Sequence, residues 1–264
     1  MFNNTLGFHV YTTKYLGNDD FLKFAIKSLM NIPIKYLPTK AEVNSSKNKC
    51  LFSSNNINEM IERALSGTVF GGYLRLYKVK SIFEIYINWL KSPADIFTKQ
   101  PYRKFNTISF YIKDGLSCIS NENEFSILKS FWISLCEYTE AIYGNCLVYD
   151  SNSSSNDYLG WGYGRCIPRL HWQTYFGRKY SQIFNFRKNE LLEKCIVEKL
   201  PSDSNILILD DNPQNLTLRS DLEREVISLL GQEYFWNEHD NRLKPKYDYL
   251  MPEIDISDLI YHDV

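Results

Sequence analysis

The sequence has almost no net charge: 30 Lys and Arg stand against 31 Asp and Glu, leaving −1 at neutral pH. A chain so balanced exerts no general pull on nucleic acid, so a phosphate-tracking role is disfavoured. Cysteine offers no framework either. Cys50, Cys118, Cys136, Cys146, Cys166 and Cys195 are scattered, with no CxxC pair and no Cys/His spacing suited to a metal, and they read as reduced thiols. Long apolar runs are missing as well. Nothing approaches the roughly 18 residues of a membrane span, and the N-terminus lacks a basic stretch leading into an apolar one. These absences predict a cytoplasmic chain with no membrane association, in which the Asn-x-Ser/Thr matches at Asn3, Asn44, Asn152 and Asn215 carry no glycan.

Catalytic signatures are equally scarce. Gly160, Gly162 and Gly164 are interleaved with Trp161 and Tyr163, and no P-loop lysine follows, so phosphate cradling is disfavoured. There is no HExxH and no GxSxG. Cys166 and His171 lie close in sequence without a flanking signature, and His171, between Leu170 and Trp172, reads as a structural histidine. Asp210 and Asp211 end a predicted strand and invite a divalent-cation reading. The Asn212-Pro213 that follows favours a turn instead, and Glu198-Lys199 lacks the carboxylate-x-lysine spacing of metal-dependent nucleases. No cofactor or metal is expected.

What the chain does have is apolar and aromatic mass: 44% hydrophobic residues, with 19 Tyr and 16 Phe. That is enough for a core without metals or disulfides. Phe8 to Thr12 reads as a strand, and Asp20 as the N-cap of a helix through Phe21, Phe24, Ile26 and Leu29 that ends before Pro33. Ser45 to Asn56 reads as a polar loop, and Asn56 with Glu59 as a capping box for a helix closed by Gly67. Tyr73 to Val79, then Phe83, Ile85, Ile87 and Trp89, then Ile108, Phe110 and Ile112 predict three antiparallel strands with one buried face. Asn121 and Glu124 start a helix whose stripe of Phe125, Leu128, Trp132, Leu135, Thr139 and Ile142 runs to Gly144.

Cys146 to Asp150 follows as a strand, and Ser151 to Asn156 as an exposed loop. Further on, Tyr175 to Phe184 reads as helical, Cys195 to Leu200 and Ile206 to Leu209 as a hairpin, and Ser220 with Glu223 as the start of a last helix before Gly231. The fold class expected is α+β, largely antiparallel sheet layers packed against helices, with two similar α/β halves as one arrangement. Residues 1–240 would form a single compact domain, with sub-halves 1–150 and 157–240, and residues 241–264 a polar tail.

The segment from Trp161 to Gly177 concentrates rigid aromatics between glycine turns. Trp161, Tyr163, Arg165, Arg169, Trp172, Tyr175 and Arg178 are the residue types that dominate protein-binding hot spots, although most such side chains serve as core. Asp157, Asp210, Asp211 and the acidic C-terminus could meet a basic partner. The run Ile167 to Gly177, the paired strands Cys195 to Leu200 and Ile206 to Asp210, then Arg224-Glu225-Val226 and Leu229-Leu230-Gly231 with Phe235, resembles bacterial immunity proteins encoded beside polymorphic toxins and type VI secretion effectors. The resemblance covers roughly the C-terminal third to half of the chain and rests on scaffold residues. It implies a protein that binds and neutralises one cognate toxin and is not an enzyme. Trp161, Tyr163, Arg165, Arg169, Asp157, Asp210 and Asp211 are the candidate contacts with that partner. The competing readings are a metal-dependent hydrolase acting at Asp210 and Asp211, and a structural interaction module.

Overall fold

The computed structural model describes residues 4–66, 71–78, 80, 82–90, 106–149, 167, 169–215 and 221–235. The chain begins with strand β1 (Thr5–Thr12) and helix α1 (Asp19–Leu29), then β2 (Lys40–Val43), β3 (Lys49–Leu51), α2 (Ile57–Leu65), β4 (Gly71–Tyr77), β5 (Phe83–Leu90) and β6 (Asn106–Lys113). Helices α3 (Gly115–Ser120) and α4 (Glu122–Tyr138) lead into β7 (Tyr143–Tyr149) and β8 (Gln173–Phe176). Short helices α5 (Arg178–Ile183) and α6 (Asn189–Leu192) precede β9 (Ile196–Lys199), β10 (Asn205–Ile208) and α7 (Asp221–Leu230). The ten strands form a single sheet in the order β3-β2-β4-β5-β6-β1-β7-β8-β10-β9, and every pairing is antiparallel. The expected α+β class, a largely antiparallel sheet with helices packed on it, is the observed one.

Local chemistry explains where several elements start, and moves some boundaries. Asn18, rather than Asp20, caps α1: its side chain accepts from the Phe21 amide at 2.8 Å. Asp19 and Asp20 fall in the first turn, where the unpaired amides favour carboxylates. The segment read as a polar loop holds β3 and a 3₁₀ turn at Ser54–Asn56, and the capping box lies at Ser53 and Asn56. Because Asn56 turns back to Ser53, it makes no cap for α2. Asn121 does cap α4, accepting from the Glu124 amide at 3.3 Å.

That helix stops at Tyr138, short of Gly144, because Thr139 bends its hydroxyl onto the Leu135 carbonyl at 2.7 Å and Glu140 adopts a positive φ of 46°. Gly144 instead lies within β7, where a Cβ would press on the His9 carbonyl at 2.9 Å and on Trp132 at 3.2 Å. The helix read from Tyr175 begins only at Arg178, since Tyr175 and Phe176 are the end of β8. Alternation explains this: Tyr175 and Phe176 are both almost fully buried because each faces a different core, one above the sheet and one below. Gly177 is the junction, and a Cβ there would run into the Ala141 carbonyl.

One face of the sheet is apolar along nearly its whole width. Leu6, Phe8 and Val10 of β1, Ile108, Phe110 and Ile112 of β6, and Ile206 and Ile208 of β10 join Leu128, Trp132 and Leu135 of α4 and residues of α1 and α2 in one core. The other face is apolar only at its C-terminal end, where Tyr143, Phe176 and Leu207 meet Tyr180, Phe184, Leu191, Val226 and Leu230.

Candidate functional site

On the second face the pairing register sets side chains in rows that cross the sheet. One row runs Glu42, Arg75, Tyr86, Ser109, His9, Asn145, Thr174, Leu207 and Val197. A second runs Lys40, Tyr77, Glu84, Tyr111, Gly7 and Leu147, and a third Tyr73, Asn88, Thr107, Tyr11, Tyr143 and Phe176. From β2 to β1 these rows are tyrosine, hydroxyl and charge; from β7 onwards they are mostly apolar, with Asn145 and Thr174 buried among them, and pack under α5 to α7. The helices α1 to α4 pack on the opposite face. The polar and aromatic half, between β2 and β1, is the candidate site.

Arg75 organises it. Its Nη1 donates to Glu42 Oε2 at 3.0 Å, its Nη2 to Glu84 Oε2 at 2.6 Å and its Nε to the same oxygen at 3.2 Å. The Tyr86 hydroxyl donates to that Glu84 oxygen at 2.7 Å. The guanidinium carbon lies 4.7 Å from the Tyr77 ring centre and 5.1 Å from that of Tyr86, so aromatic faces share the charge with the carboxylates. Partial burial works against the guanidinium charge, but the hydrogen bonds to Glu84 and Glu42 outweigh it and raise the pKa of Arg75. Burial first, and then the bond to Glu84, push the Tyr86 phenol upward. Arg75 remains 24% exposed at its side chain against 5% for Glu42, so the charge is held in place yet still reaches the surface.

Beside it, His9 Nδ1 meets Ser109 Oγ at 2.9 Å and Nε2 meets Tyr149 Oη at 2.8 Å. Burial lowers its pKa to about 4, and the ring is neutral at physiological pH. From the opposite side of the strand, Trp132 Nε1 donates to the His9 carbonyl at 3.0 Å and fixes that stretch of β1. Tyr111 stacks edge-on to both His9 and Tyr86, at 5.5 and 6.1 Å between ring centres. The result is a tile of Tyr73, Tyr77, Tyr86, Tyr111, Tyr11 and Arg75, in which hydrogen bonds orient Arg75 and Tyr86 and ring contacts orient Tyr111.

The residues singled out from sequence lie elsewhere. Asp157, Trp161, Tyr163 and Arg165, together with the loop 151–156 and the tail 241–264, are outside the described residues. Arg169 turns inward: its Nε and Nη2 engage Glu223, which is 4% exposed at its side chain, in a paired bond. Trp172 and Tyr175 are core, 5% and 1% exposed, the place that most such side chains take. The Asp210 carboxylate accepts from the Asn212 amide at 2.7 Å and from Asn215 Nδ2 at 3.0 Å, closing a local turn, and Asp211 is exposed beside it.

His171 is buried, its amide donates to Thr174 Oγ1 at 3.0 Å, and burial followed by the Arg169 charge keeps the ring neutral. Among the described residues no three His, Cys, Asp or Glu gather as metal ligands, Cys50, Cys118, Cys136, Cys146 and Cys195 are unbridged, and no helix is long and apolar enough to cross a membrane. The tyrosine tile itself escaped sequence reading. Its signal was present in β4 to β6, where the outward positions of half-buried strands carry Tyr73, Tyr77, Tyr86 and Tyr111 in place of the usual small polar or charged residues.

No protein-family model matches the sequence, and no curated protein matches it. Among solved structures, a Pseudomonas aeruginosa T6SS protein, PA0821, superposes with a TM-score of 0.55 over 85% of this chain and 75% of its own length, at 9% sequence identity. At that identity the likeness is one of fold: the chain shares its architecture with a protein of a type VI secretion system.

Proposed function

We propose that this chain is an immunity protein: it binds a cognate bacterial toxin effector in the cytoplasm and neutralises it by stoichiometric inhibition, without catalysis of its own. The observation that carries the reading is the tyrosine and arginine tile, a surface of the residue types that anchor protein interfaces. The fold shared with a T6SS protein supports a setting in which such a partner exists. Tyrosine suits the task because it offers a large amphipathic contact at low entropic cost, and here neighbouring rings already fix its orientation. A partner covering the tile would bury an area of standard interface size, about 800 Å² on this side.

The test is titration of the purified chain with the product of an effector gene adjacent to its own, alongside rescue of cells expressing that effector. The expected outcome is a one-to-one complex with a dissociation constant below about 1 μM, weakened at least tenfold by Tyr86→Ala or Arg75→Ala. Failure to bind, with no rescue, would end the proposal.

A further inference from the structure

The chain carries a second surface of different chemistry at the far end of the sheet. Among the described residues strand β9 is terminal in the strand order and pairs with β10 alone, so one row of its backbone amides and carbonyls has no described strand beside it. Over its second face lies an open cleft of about 520 Å³, floored by Phe184, Phe186 and Leu192 and ringed by Arg178, Arg187 and Lys199. Asp203 also lines it and pairs with Lys199 at 3.0 Å, with both side chains more than half exposed. Neither guanidinium in the cleft makes a close ion pair with a described carboxylate, although Arg178 acts on Asp203 at longer range, so positive charge predominates there in a chain whose net charge is −1.

The pleat says what fits. Val197 and Lys199 point to the cleft, whereas Ile196 and Glu198 point to the other face. Glu198 is held there by Lys129 at 2.8 Å, and Ile196 stands 48% exposed. A strand laid along β9 would alternate likewise, one set of side chains meeting Arg178, Arg187 and Lys199, the other covering Ile196. Native edges are usually protected against such pairing. Here the only charge that β9 turns toward the cleft is a lysine already shared with Asp203 on the next turn.

We infer that this edge is a docking site for an extended segment of a partner protein in which acidic and apolar residues alternate, added to the sheet beside β9 with its carboxylates in the arginine-lined cleft. Main-chain hydrogen bonds would supply affinity and the alternation specificity, as in other strand-addition interfaces. The inference is independent of the toxin reading, since it concerns a different surface and names a segment by its chemistry.

The test uses the full chain with three probes: a capped peptide alternating Asp with Val, its Lys/Val counterpart, and oligo(dT). The Asp/Val peptide is expected to bind, to protect from hydrogen exchange those β9 amides that do not bond to β10, and to lose about tenfold in affinity with Arg187→Glu, with further weakening as salt rises. Arg187 is exposed and makes no described ion pair, so its replacement leaves the fold intact, and Arg75→Ala on the distant tile should leave peptide binding unchanged. Equal binding of the Lys/Val peptide, binding of oligo(dT) in preference to the peptide, or association without protection of the β9 amides would each overturn the inference. So would no binding at all.

Discussion

The second face of the sheet is two surfaces joined along β1 and β7, and each contains one arginine tied to carboxylate. In the closed half, Arg169 and Glu223 form a single pair with two parallel bonds, 16% and 4% exposed, roofed by α7 and backed by Leu170 and Val226. In the open half, Arg75 divides its donors between Glu42 and Glu84, leans on two tyrosine rings and keeps a quarter of its side chain accessible. The same chemical couple is thus used in two ways. Sealed and one-to-one, it locks a helix to the sheet. Shared and partly exposed, it fixes the shape of a surface and keeps charge available for something that approaches it.

The sharpest way to break the comparison is to remove one carboxylate from each half. Glu223→Ala leaves the guanidinium of Arg169 buried without its partner, and should cost about 3–5 kcal/mol in denaturant unfolding. Glu84→Ala leaves Arg75 with Glu42, two rings and access to water, and should cost no more than about 1–2 kcal/mol. Replacing both members of the closed pair, Arg169→Met with Glu223→Leu, should recover most of the loss, because a buried pair exchanged for packed apolar groups is often neutral. Equal losses for the two single variants would show that the halves do not differ in the way the exposures indicate.

The next largest effect is a pH dependence centred on the seam between the halves. His9 sits there with a pKa of about 4 in the folded protein against 6.5 for an ordinary histidine, and burial is the cause. The unfolded chain therefore takes up a proton near 6.5 that the folded chain refuses until about 4. Stability is fully present above that window and falls as pH drops through it, by about 3 kcal/mol at most for this one group. His171, also held neutral by burial, acts in the same direction from the closed half. Unfolding curves across the window should show the decline, and His9→Gln should flatten part of it; a profile unchanged by that substitution would assign the loss to His171 and the carboxylates.

Gly7 allows a smaller and more local break. A Cβ at this position would lie 2.5 Å from the Tyr149 ring and 3.3 Å from His9 Nε2. Gly7→Ala must therefore push Tyr149 off the 2.8 Å bond it makes with His9. The expected cost is about 1–3 kcal/mol, with a rise in the His9 pKa as water reaches the ring. Stability falling without that rise would mean that the ring moves and leaves His9 buried.

Many of the separate elements were legible in the sequence. The β9–β10 hairpin, the α4 cap at Asn121 and the strand alternation of β5 and β6 rest on local rules, namely turn chemistry, a side-chain oxygen reaching an amide, and period two. What was not legible depends on which strands become neighbours. Arg169 looked like a surface anchor until α7 brought Glu223 against it from 54 residues away. Tyr175 read as the start of a helix because its strand is short and buried on both faces, so alternation gave no polar side to read. The tile itself needed the register of β2, β4, β5, β6 and β1, and no window on the sequence places Glu42 beside Arg75 or Ser109 beside His9.

The smallest expected effect separates the two uses of the arginine most cleanly. Tyr77 contributes one ring to the Arg75 sandwich, and its outward position leaves it half-buried, so Tyr77→Ala removes an aromatic contact without opening a core cavity. Stability should fall by only about 0.5–1 kcal/mol, the worth of an exposed cation–π contact. If the open half exists to meet a partner, the same substitution should weaken the complex by more than it weakens the fold, because the ring that positions the guanidinium is also lost from the interface. Measuring both on one preparation decides the matter: a binding loss no greater than the stability loss would make the tile a shaped but idle face, and the comparison between the halves would reduce to a difference in solvent exposure.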